Sequence, residues 1–337
     1  MEYGKTYKVE RGELIERLFS EESKTDADLL QLDVFRFQYA YNMLYKTWCD
    51  YLGKQIRNVD VVEKIPHLPI SFFKYHRIQT GIMPTEKTFR SSGTGGSDRS
   101  IHSVRDLSIY RNSALSMFEA AFGKPSDYVF VGLLPSYLER DDSSLIYMCK
   151  ILMEASGRSE SGFYLDQYEL LNQKLMQMKA SGLKVWLIGV SFALLDFAAY
   201  SPPVWPGLTV VETGGMKGRK EEMVREALHL RIRQSWPLKN IYAEYGMTEL
   251  LSQAYAGADG WFSTPPWMKV RIRDSYDPFT YIESGRTGGI NVADLANIDS
   301  CAFIATDDLG LACDTGEFKV LGRFDHAEQR GCNLLLL

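Results

Sequence analysis

The sequence contains few cysteines, and they do not form a recognisable framework. Its 337 residues include five, an odd number, and no two of them have the spacing of metal ligands. They are Cys49, Cys149, Cys301, Cys313 and Cys332. A disulfide-stapled scaffold or a zinc ribbon is therefore not expected, and reduced thiols in a cytoplasmic protein fit this usage better.

Long apolar runs, a leader-like N terminus and an excess of positive charge are also lacking. No stretch approaches the roughly 20 apolar residues that cross a bilayer, so we do not expect a transmembrane protein. The formal net charge is −5, which disfavours a nucleic-acid partner because such partners require a basic surface. With 45% hydrophobic residues, the chain is long and apolar enough for a sizeable core.

Strand and helix patterns alternate through the middle of the chain. The apolar runs "DYVFVGLLP", "LKVWLIGV" and "LTVVETGG" are typical of buried strands, and amphipathic segments separate them. We therefore expect an α/β fold with a mostly parallel sheet flanked by helices. The predicted division is a helical N-terminal region (1–75), a nucleotide-binding core (76–260), a smaller β-rich subdomain (261–325) and a short tail (326–337).

The run "FRSSGTGGSDRS", from Phe89 to Ser100, raises two possibilities. Glycines let backbone N–H groups converge on an anion, hydroxyls add donors, and Arg99 could neutralise phosphate charge. The same composition also suits a solvated linker. The run is not a P-loop, because the Gly-Lys-Ser/Thr ending is missing, so this stretch alone does not decide between the two.

Three later segments favour the phosphate loop. "YAEYGMTE" follows a predicted strand and ends in a hydroxyl and a carboxylate suited to Mg²⁺ beside phosphates. "TDDLG" offers carboxylates for ribose hydroxyls at a strand-to-turn junction, and "LGRFD" adds an arginine and an aspartate at a turn. Each has a bland alternative as a core tyrosine, a turn aspartate or a surface ion pair, but their shared order argues against chance.

In this order, "SSGTGGSDR", "YGMTE", "TDDLG" and "LGRFD" resemble the motifs of the adenylate-forming superfamily. The strings "PISFFK", "LLPSYLER", "SSLIYM" and "RGCNLL" narrow the resemblance to the acyl-protein synthetases, the long-chain-fatty-acid–luciferin-component ligases. Phenylacetate-CoA ligases are the next nearest. The resemblance covers about residues 65 to 335 and implies the N-terminal core of that superfamily's fold.

The resemblance implies ATP, Mg²⁺ and a carboxylic acid as ligands. The triphosphate would be held by Ser91, Ser92, Gly93, Thr94, Gly95, Gly96 and Arg99. Adenine would lie against Gly214 and Gly215, Tyr245 would line the adenine or the acyl pocket, and Gly246 would contact the nucleotide. Thr248 would contact phosphate, Glu249 would hold Mg²⁺, Asp308 would bind the ribose and Arg323 would lie close by.

One departure concerns the C-terminal lid of that superfamily, which carries a catalytic lysine. Only twelve residues follow Asp325 here and none is lysine, so we expect a core that lacks the lid, as acyl-protein synthetases do. Lys74 and Arg140 are the candidates within the chain for the missing charge. Cys332 resembles the cysteine that carries the acyl group in those synthetases; the alternative is a buried structural cysteine.

The resulting hypothesis is an enzyme that activates a fatty or aryl acid as an acyl-adenylate and passes the acyl group to a thiol. That thiol would be Cys332 or an external acceptor, such as coenzyme A, a carrier protein or an acyl-transferring partner. A non-catalytic nucleotide- or acyl-binding subunit is the alternative from another class. We further expect Glu139 or Arg140 at the rim of the site, His102 at the surface, and the other four cysteines in the core.

Overall fold

A computed structural model describes residues 2–82, 84–92, 99–135, 141–214 and 223–324, without the side chains of residues 2–5. Within these ranges the helices are α1 Glu2–Leu18, α2 Glu22–Thr25, α3 Ala27–Tyr41, α4 Met43–Tyr51, α5 Phe72–Tyr75, α6 Leu107–Phe122, α7 Ser144–Ser156, α8 Tyr168–Ala180, α9 Ser191–Ala198 and α10 Arg225–Ser235. None of them is both long and apolar enough to cross a bilayer.

Strands occupy the same described ranges. They are β1 Leu68–Pro69, β2 Lys87–Arg90, β3 Ile101–Val104, β4 Tyr128–Leu133, β5 Gly162–Tyr164, β6 Lys184–Val190, β7 Leu208–Thr213, β8 Tyr242–Tyr245, β9 Ala254–Ala256, β10 Phe262–Ser263, β11 Met268–Arg273, β12 Gly288–Asp294, β13 Phe303–Ala312 and β14 Phe318–Arg323. β2 and β3 form a separate hairpin.

The other strands join one large mixed sheet. Their order is β11-β12-β13-β14-β10-β9-β8-β7-β6-β4-β5, and β1 pairs with β13. Pairing is parallel from β5 through β4, β6 and β7 to β8, and antiparallel from β8 through β9 onwards. The predicted α/β fold, with a large sheet flanked by helices, is confirmed. The predicted regional boundaries stay a prediction.

Local sequence explains where the elements begin and end. β4 and β6 are almost continuously apolar, as expected where both faces of the parallel part of the sheet are buried. The Asp106 carboxylate caps α6 by accepting from the backbone N–H of Ser108. The predicted end of α6 at Gly123 is confirmed, and this glycine has φ 90°, a conformation that other residues rarely adopt.

The "TDDLG" segment differs from its prediction. We expected a strand-to-turn junction there, but β13 continues to Ala312 and pairs with β14 from Asp308 to Ala312. A shift in register between Leu309 and Gly310 interrupts the ladder instead. Asp308 therefore projects from the middle of a paired strand, which holds its backbone more rigidly than a turn would.

Candidate active site

The glycine/serine run lies at the end of the β2–β3 hairpin. Phe89 pairs with His102, and Arg90 with Ile101. Beyond the ladder, the Ser91 N–H donates to the Ser100 carbonyl, and the Ser100 N–H donates to the Ser91 hydroxyl, each at 3.0 Å. The run is therefore a hairpin loop with an ordered neck. Half-buried Ser92 follows this neck, and Gly93, Thr94, Gly95 and Gly96 lie outside the described residues.

Asp142 joins the neck of this hairpin to the region beyond the carboxyl end of β4. The Arg90 N–H donates to the Asp142 carbonyl at 2.9 Å. The Asp142 carboxylate lies 3.7 Å from Arg99 Nη1 and 3.9 Å from Arg90 Nη1. Arg99 is thus held at the base of the loop, by a residue that sequence reasoning did not single out. The rim candidates Glu139 and Arg140 lie outside the described residues.

Gly214 follows the carboxyl end of β7, and a hydroxyl group on α9 contacts its backbone carbonyl. It has φ 68°, which glycine adopts readily. The Ser191 hydroxyl at the start of α9 lies 2.5 Å from both the Gly214 carbonyl and Glu212 Oε1. Arg225 Nε donates to the other Glu212 oxygen at 3.2 Å. Gly215, the second predicted adenine contact, lies outside the described residues.

Tyr245, Asp308 and Arg323 meet between β8, β13 and β14. The Tyr245 hydroxyl donates to Asp308 Oδ2 at 2.9 Å, and Arg323 Nε donates to Asp308 Oδ1 at 3.1 Å. Burial and the adjacent Asp308 carboxylate raise the pKa of Tyr245 well above its usual value, so the phenol remains a donor. Both Asp308 oxygens therefore accept hydrogen bonds from side chains, one on the adjacent strand β14 and one on the more distant strand β8.

Thr248 and Glu249 form the next part of the site, in the turn after β8 that Gly246 opens. Thr248 is half-buried and Glu249 is buried. Burial alone would lower the pKa of Arg323, but the carboxylates of Asp308, Asp307 and Glu249 together raise it. Glu249 thus lies close enough to Arg323 for its carboxylate to contribute to the raised pKa.

The prediction of a surface position for His102 is wrong. Its side chain is 1% exposed, and its Nδ1 lies 2.8 Å from the Thr248 carbonyl oxygen. Burial lowers the pKa of His102 to about 4, so the ring is neutral near neutral pH. No sequence pattern indicated that His102 is buried, because β3 is short and directly follows a polar loop.

Two further side chains hold the turn from within. Asn297 Nδ2 donates to the Glu249 carbonyl at 2.7 Å. Asp294 accepts from the Leu251 and Ser252 N–H groups at 2.9 Å each, and from the Ser252 hydroxyl at 2.6 Å. These contacts join residues more than 40 positions apart, so no local pattern could have identified them.

Glu244 is a buried carboxyl group inside the "YAEYGMTE" motif. Burial, together with the nearby Glu212 carboxylate, raises the pKa of Glu244 to about 7, although a hydrogen bond from the Thr213 hydroxyl opposes the shift. A Cβ at Gly246 would lie 2.4 Å from Glu244 Oε1. A side chain at position 246 would therefore displace the Glu244 carboxyl group.

A cavity of about 530 Å³ lies on the Glu244 side of the sheet. Its apolar lining comes mainly from Phe19, Met117, Phe122, Tyr242, Tyr255 and Trp267. The Trp267 indole N–H lies 3.0 Å from the Ser252 hydroxyl, and Ser252 follows the Thr248–Glu249 turn by three residues. A hydrogen bond from the cavity wall thus reaches the segment that follows the turn.

The cysteine and lysine predictions have mixed outcomes. Cys49, Cys149 and Cys301 are buried as predicted, and burial raises the pKa of each thiol. The core position predicted for Cys313 is wrong, since this residue is only half-buried. Cys332 lies outside the described residues. Lys74 is exposed on α5.

Replacing Glu244 by glutamine tests the buried carboxyl group. Because the pKa is about 7 in the folded chain and 4.5 in the reference state, the wild type loses stability as the pH rises between these values. Glutamine has no proton to lose, so Glu244→Gln should be stabilising at about pH 8 by up to roughly 3 kcal/mol, and much less at about pH 5. Urea unfolding at both pH values measures this, and a difference independent of pH contradicts it.

Comparisons with known proteins identify the family of this chain. Residues 17–337 match the sequence model of the family described as "Acyl-protein synthetase, LuxE". The chain is 23% identical over 344 residues to the long-chain-fatty-acid–luciferin-component ligase of Aliivibrio fischeri. That alignment covers 93% of this chain and 88% of the ligase.

Solved structures share the fold. A 2-hydroxyisobutyryl-CoA ligase in complex with 2-HIB-AMP and CoA superposes with a TM-score of 0.69 at 14% identity, over 90% of this chain and 69% of that one. ATP-bound MatB from Rhodopseudomonas palustris gives 0.50 at 16% identity, over 70% of this chain. The chain spans about half the length of that protein, 47%.

These findings confirm the predicted resemblance and the prediction of an adenylate-forming ligase at the level of the family. The match covers nearly the whole chain, including the described strands that carry Tyr245, Asp308 and Arg323. The chain belongs to the acyl-protein synthetase family.

Proposed function

We propose that this chain uses ATP to convert a carboxylic acid into an acyl-adenylate and then transfers the acyl group to a thiol. The observation that carries the proposal is the hydrogen-bonded set of Tyr245, Asp308 and Arg323 beside the Thr248–Glu249 turn. A carboxylate, a cation, a hydroxyl and a second carboxylate in one region suit a nucleotide with its metal.

The nucleotide contacts are assigned by chemistry. Asp308 accepts hydrogen bonds from the ribose hydroxyls, and Arg323 neutralises charge beside it. Tyr245 orients Asp308, while its ring packs edge-on against Phe318. The adenine lies along the backbone at Gly214 and Gly215. The triphosphate is bound by Ser91, Ser92, Gly93, Thr94, Gly95, Gly96, Arg99 and Thr248.

Magnesium fits this arrangement through Glu249. Within the described ranges, no three His, Cys, Asp or Glu side chains converge as a complete metal site. Mg²⁺ commonly needs only one or two protein carboxylates, with phosphate oxygens and water as its other ligands. Glu249 supplies such a carboxylate, and the bound ion would neutralise phosphate charge. Asn297 and Asp294 hold the turn that carries Glu249.

The reaction proceeds in two displacements. An oxygen of the acid's carboxylate bonds to the α-phosphorus of ATP, and the bond from that phosphorus to the bridging oxygen breaks, releasing pyrophosphate. A thiolate sulfur then bonds to the acyl carbon, and the bond from carbon to the adenylate oxygen breaks, releasing AMP. The protein contributes by holding the reactants in line and by balancing phosphate charge.

A fatty or aryl acid is the proposed substrate. The cavity described above has an aromatic and apolar lining, and its wall residue Trp267 hydrogen-bonds to Ser252, three residues beyond the Thr248–Glu249 turn. Apolar lining stabilises an apolar chain in proportion to the area removed from water. The name of the Aliivibrio fischeri relative specifies a long-chain fatty acid, which supports a fatty acid as the substrate.

Pyrophosphate exchange into ATP, measured with a panel of acids, tests the proposal. We expect exchange with fatty or aryl acids and little with short polar ones. Glu249→Gln should reduce the exchange rate at least about tenfold because it removes the carboxylate that would bind the metal. Exchange with none of the acids, while ATP still binds, would contradict the proposal and favour a non-catalytic binding subunit.

Replacing Tyr245 by phenylalanine tests the ribose contact. The change removes the hydroxyl that donates to Asp308, so we expect the dissociation constant for ATP to rise about three- to tenfold, as for one lost hydrogen bond. Tyr255→Phe is the control, since it removes another buried tyrosine hydroxyl from the adjacent strand β9. Equal effects of the two changes on ATP binding, measured by calorimetry, contradict the assignment.

The first acyl acceptor is proposed to be the Cys332 thiol. A thiolate attacks an acyl-adenylate readily because AMP is a good leaving group. Labelled acid should therefore become covalently attached to the wild type, and Cys332→Ser should abolish this attachment but leave pyrophosphate exchange unchanged. Cys313→Ser serves as the matched control. If Cys332→Ser transfers the acyl group to coenzyme A or a carrier protein as fast as the wild type does, direct transfer to that acceptor replaces this step.

A further inference from the structure

The imidazole of His102 bridges two segments that are distant in sequence. Nδ1 lies 2.8 Å from the Thr248 carbonyl oxygen, and Nε2 lies 2.9 Å from the Ser300 hydroxyl. The carbonyl oxygen can only accept, so Nδ1 carries the hydrogen. In the neutral ring, Nε2 then accepts from the Ser300 hydroxyl. The Phe73 ring packs edge-on at 5.6 Å and restricts rotation of the imidazole.

The location of the ring gives this bridge a consequence for the site. His102 is two residues beyond Ser100, which closes the neck of the glycine/serine loop. Its partner Thr248 precedes Glu249 directly. One side chain thus connects the hairpin that carries the loop to the turn that carries the hydroxyl and the carboxylate. In the proposed function both elements bind the same triphosphate. The distance between them must therefore be correct to within about 1 Å.

The other end of the bridge is fixed by the core. The Ser300 carbonyl accepts from Asn42 Nδ2 and from the Thr80 hydroxyl, each at 2.7 Å. Ser300 is 2% exposed, and its N–H donates to the Asn297 carbonyl at 3.0 Å. These bonds hold Ser300 in the core. The His102 ring, which contacts Ser300, in turn holds the Thr248 carbonyl in position.

We propose that His102 is a positioning residue for ATP binding, whose Nδ1–H bond to the Thr248 carbonyl sets the Thr248–Glu249 turn at the correct distance from the glycine/serine hairpin. The inference rests on the proposed function, since the spacing matters only if both elements contact one nucleotide. His102 itself touches neither the nucleotide nor the acid.

Two substitutions separate the two bonds of the ring. The amide nitrogen of asparagine reaches the position of Nδ1, whereas that of glutamine reaches the position of Nε2. His102→Asn therefore keeps the donor to Thr248, and His102→Gln keeps a polar group at Ser300 only. We expect the dissociation constant for ATP with Mg²⁺ to rise about tenfold in His102→Gln and no more than about threefold in His102→Asn.

The control is His67, another buried histidine. It is 9% exposed, its ring packs against the Phe303 ring at 5.8 Å, and its Nδ1 lies 3.2 Å from the Tyr281 hydroxyl; both of these partners lie outside the Thr248–Glu249 turn. His67→Asn and His67→Gln should lower the thermal stability without separating in ATP affinity. Calorimetric ATP titration and thermal denaturation are measured for all four variants and the wild type.

A common loss of affinity in both His102 variants, or losses that follow the melting temperature alone, overturns the inference and leaves a purely structural histidine. If both variants fail to fold, Ser300→Ala carries the test. Without the hydroxyl the ring loses its anchor, and we expect ATP affinity to fall about threefold; unchanged affinity contradicts the inference. A wild type that binds no ATP overturns the proposed function itself, which the first titration reveals before any variant is made.

Discussion

The site depends on one constraint, the hydrogen-bond satisfaction of a buried loop between β12 and β13. Every residue from Gly288 to Ile304 is buried, so the polar groups of this loop must find partners inside the protein. Gln38 on α3 supplies several: its Nε2 donates to the carbonyls of Asn297 and Ile298 at 3.0 Å, and its Oε1 accepts from the Ala302 N–H at 2.9 Å. The N-terminal helices therefore hold the loop in a single arrangement.

The same loop holds the site from the opposite side. Asp294, Asn297 and Ser300 lie within a few residues of one another and reach, in turn, Ser252, the Glu249 carbonyl and the ring of His102. Most polar groups of this network are paired, Asn297 Oδ1 being an exception, and the network resists displacement because each lost bond would leave a further buried polar group without a partner. The Thr248–Glu249 turn, although it follows a short strand, is thus held as firmly as the core.

Part of this architecture could be predicted from sequence. The alternation of apolar runs and amphipathic segments predicted the α/β fold, and four short motifs in order indicated an adenylate-forming enzyme. These signals are local: Gly123 ends α6 wherever that helix packs. The motifs also identified Tyr245, Asp308 and Arg323 as candidate nucleotide contacts. In the structure, Tyr245 and Arg323 each donate a hydrogen bond to Asp308.

The rest could not be predicted because it depends on long-range pairing. Leu68 pairs with Ile304 across most of the chain, and nothing in either segment specifies the other. His102 and Asn297 have polar side chains in unremarkable surroundings, and their roles follow only from the approach of the 294–300 loop to the turn. Glu244 lies inside the "YAEYGMTE" motif, but only later residues of that motif were given roles. The burial and raised pKa of Glu244 were therefore missed.

The most direct test of the account is the fate of a labelled oxygen. The acid is supplied with oxygen-18 in its carboxylate, together with ATP and a thiol acceptor, and the products are examined by mass spectrometry. Adenylate formation requires a bond from that carboxylate to the α-phosphorus, so one labelled oxygen should appear in AMP for each acyl group transferred. Label in inorganic phosphate, or AMP without label, would contradict activation of the acid as an acyl-adenylate.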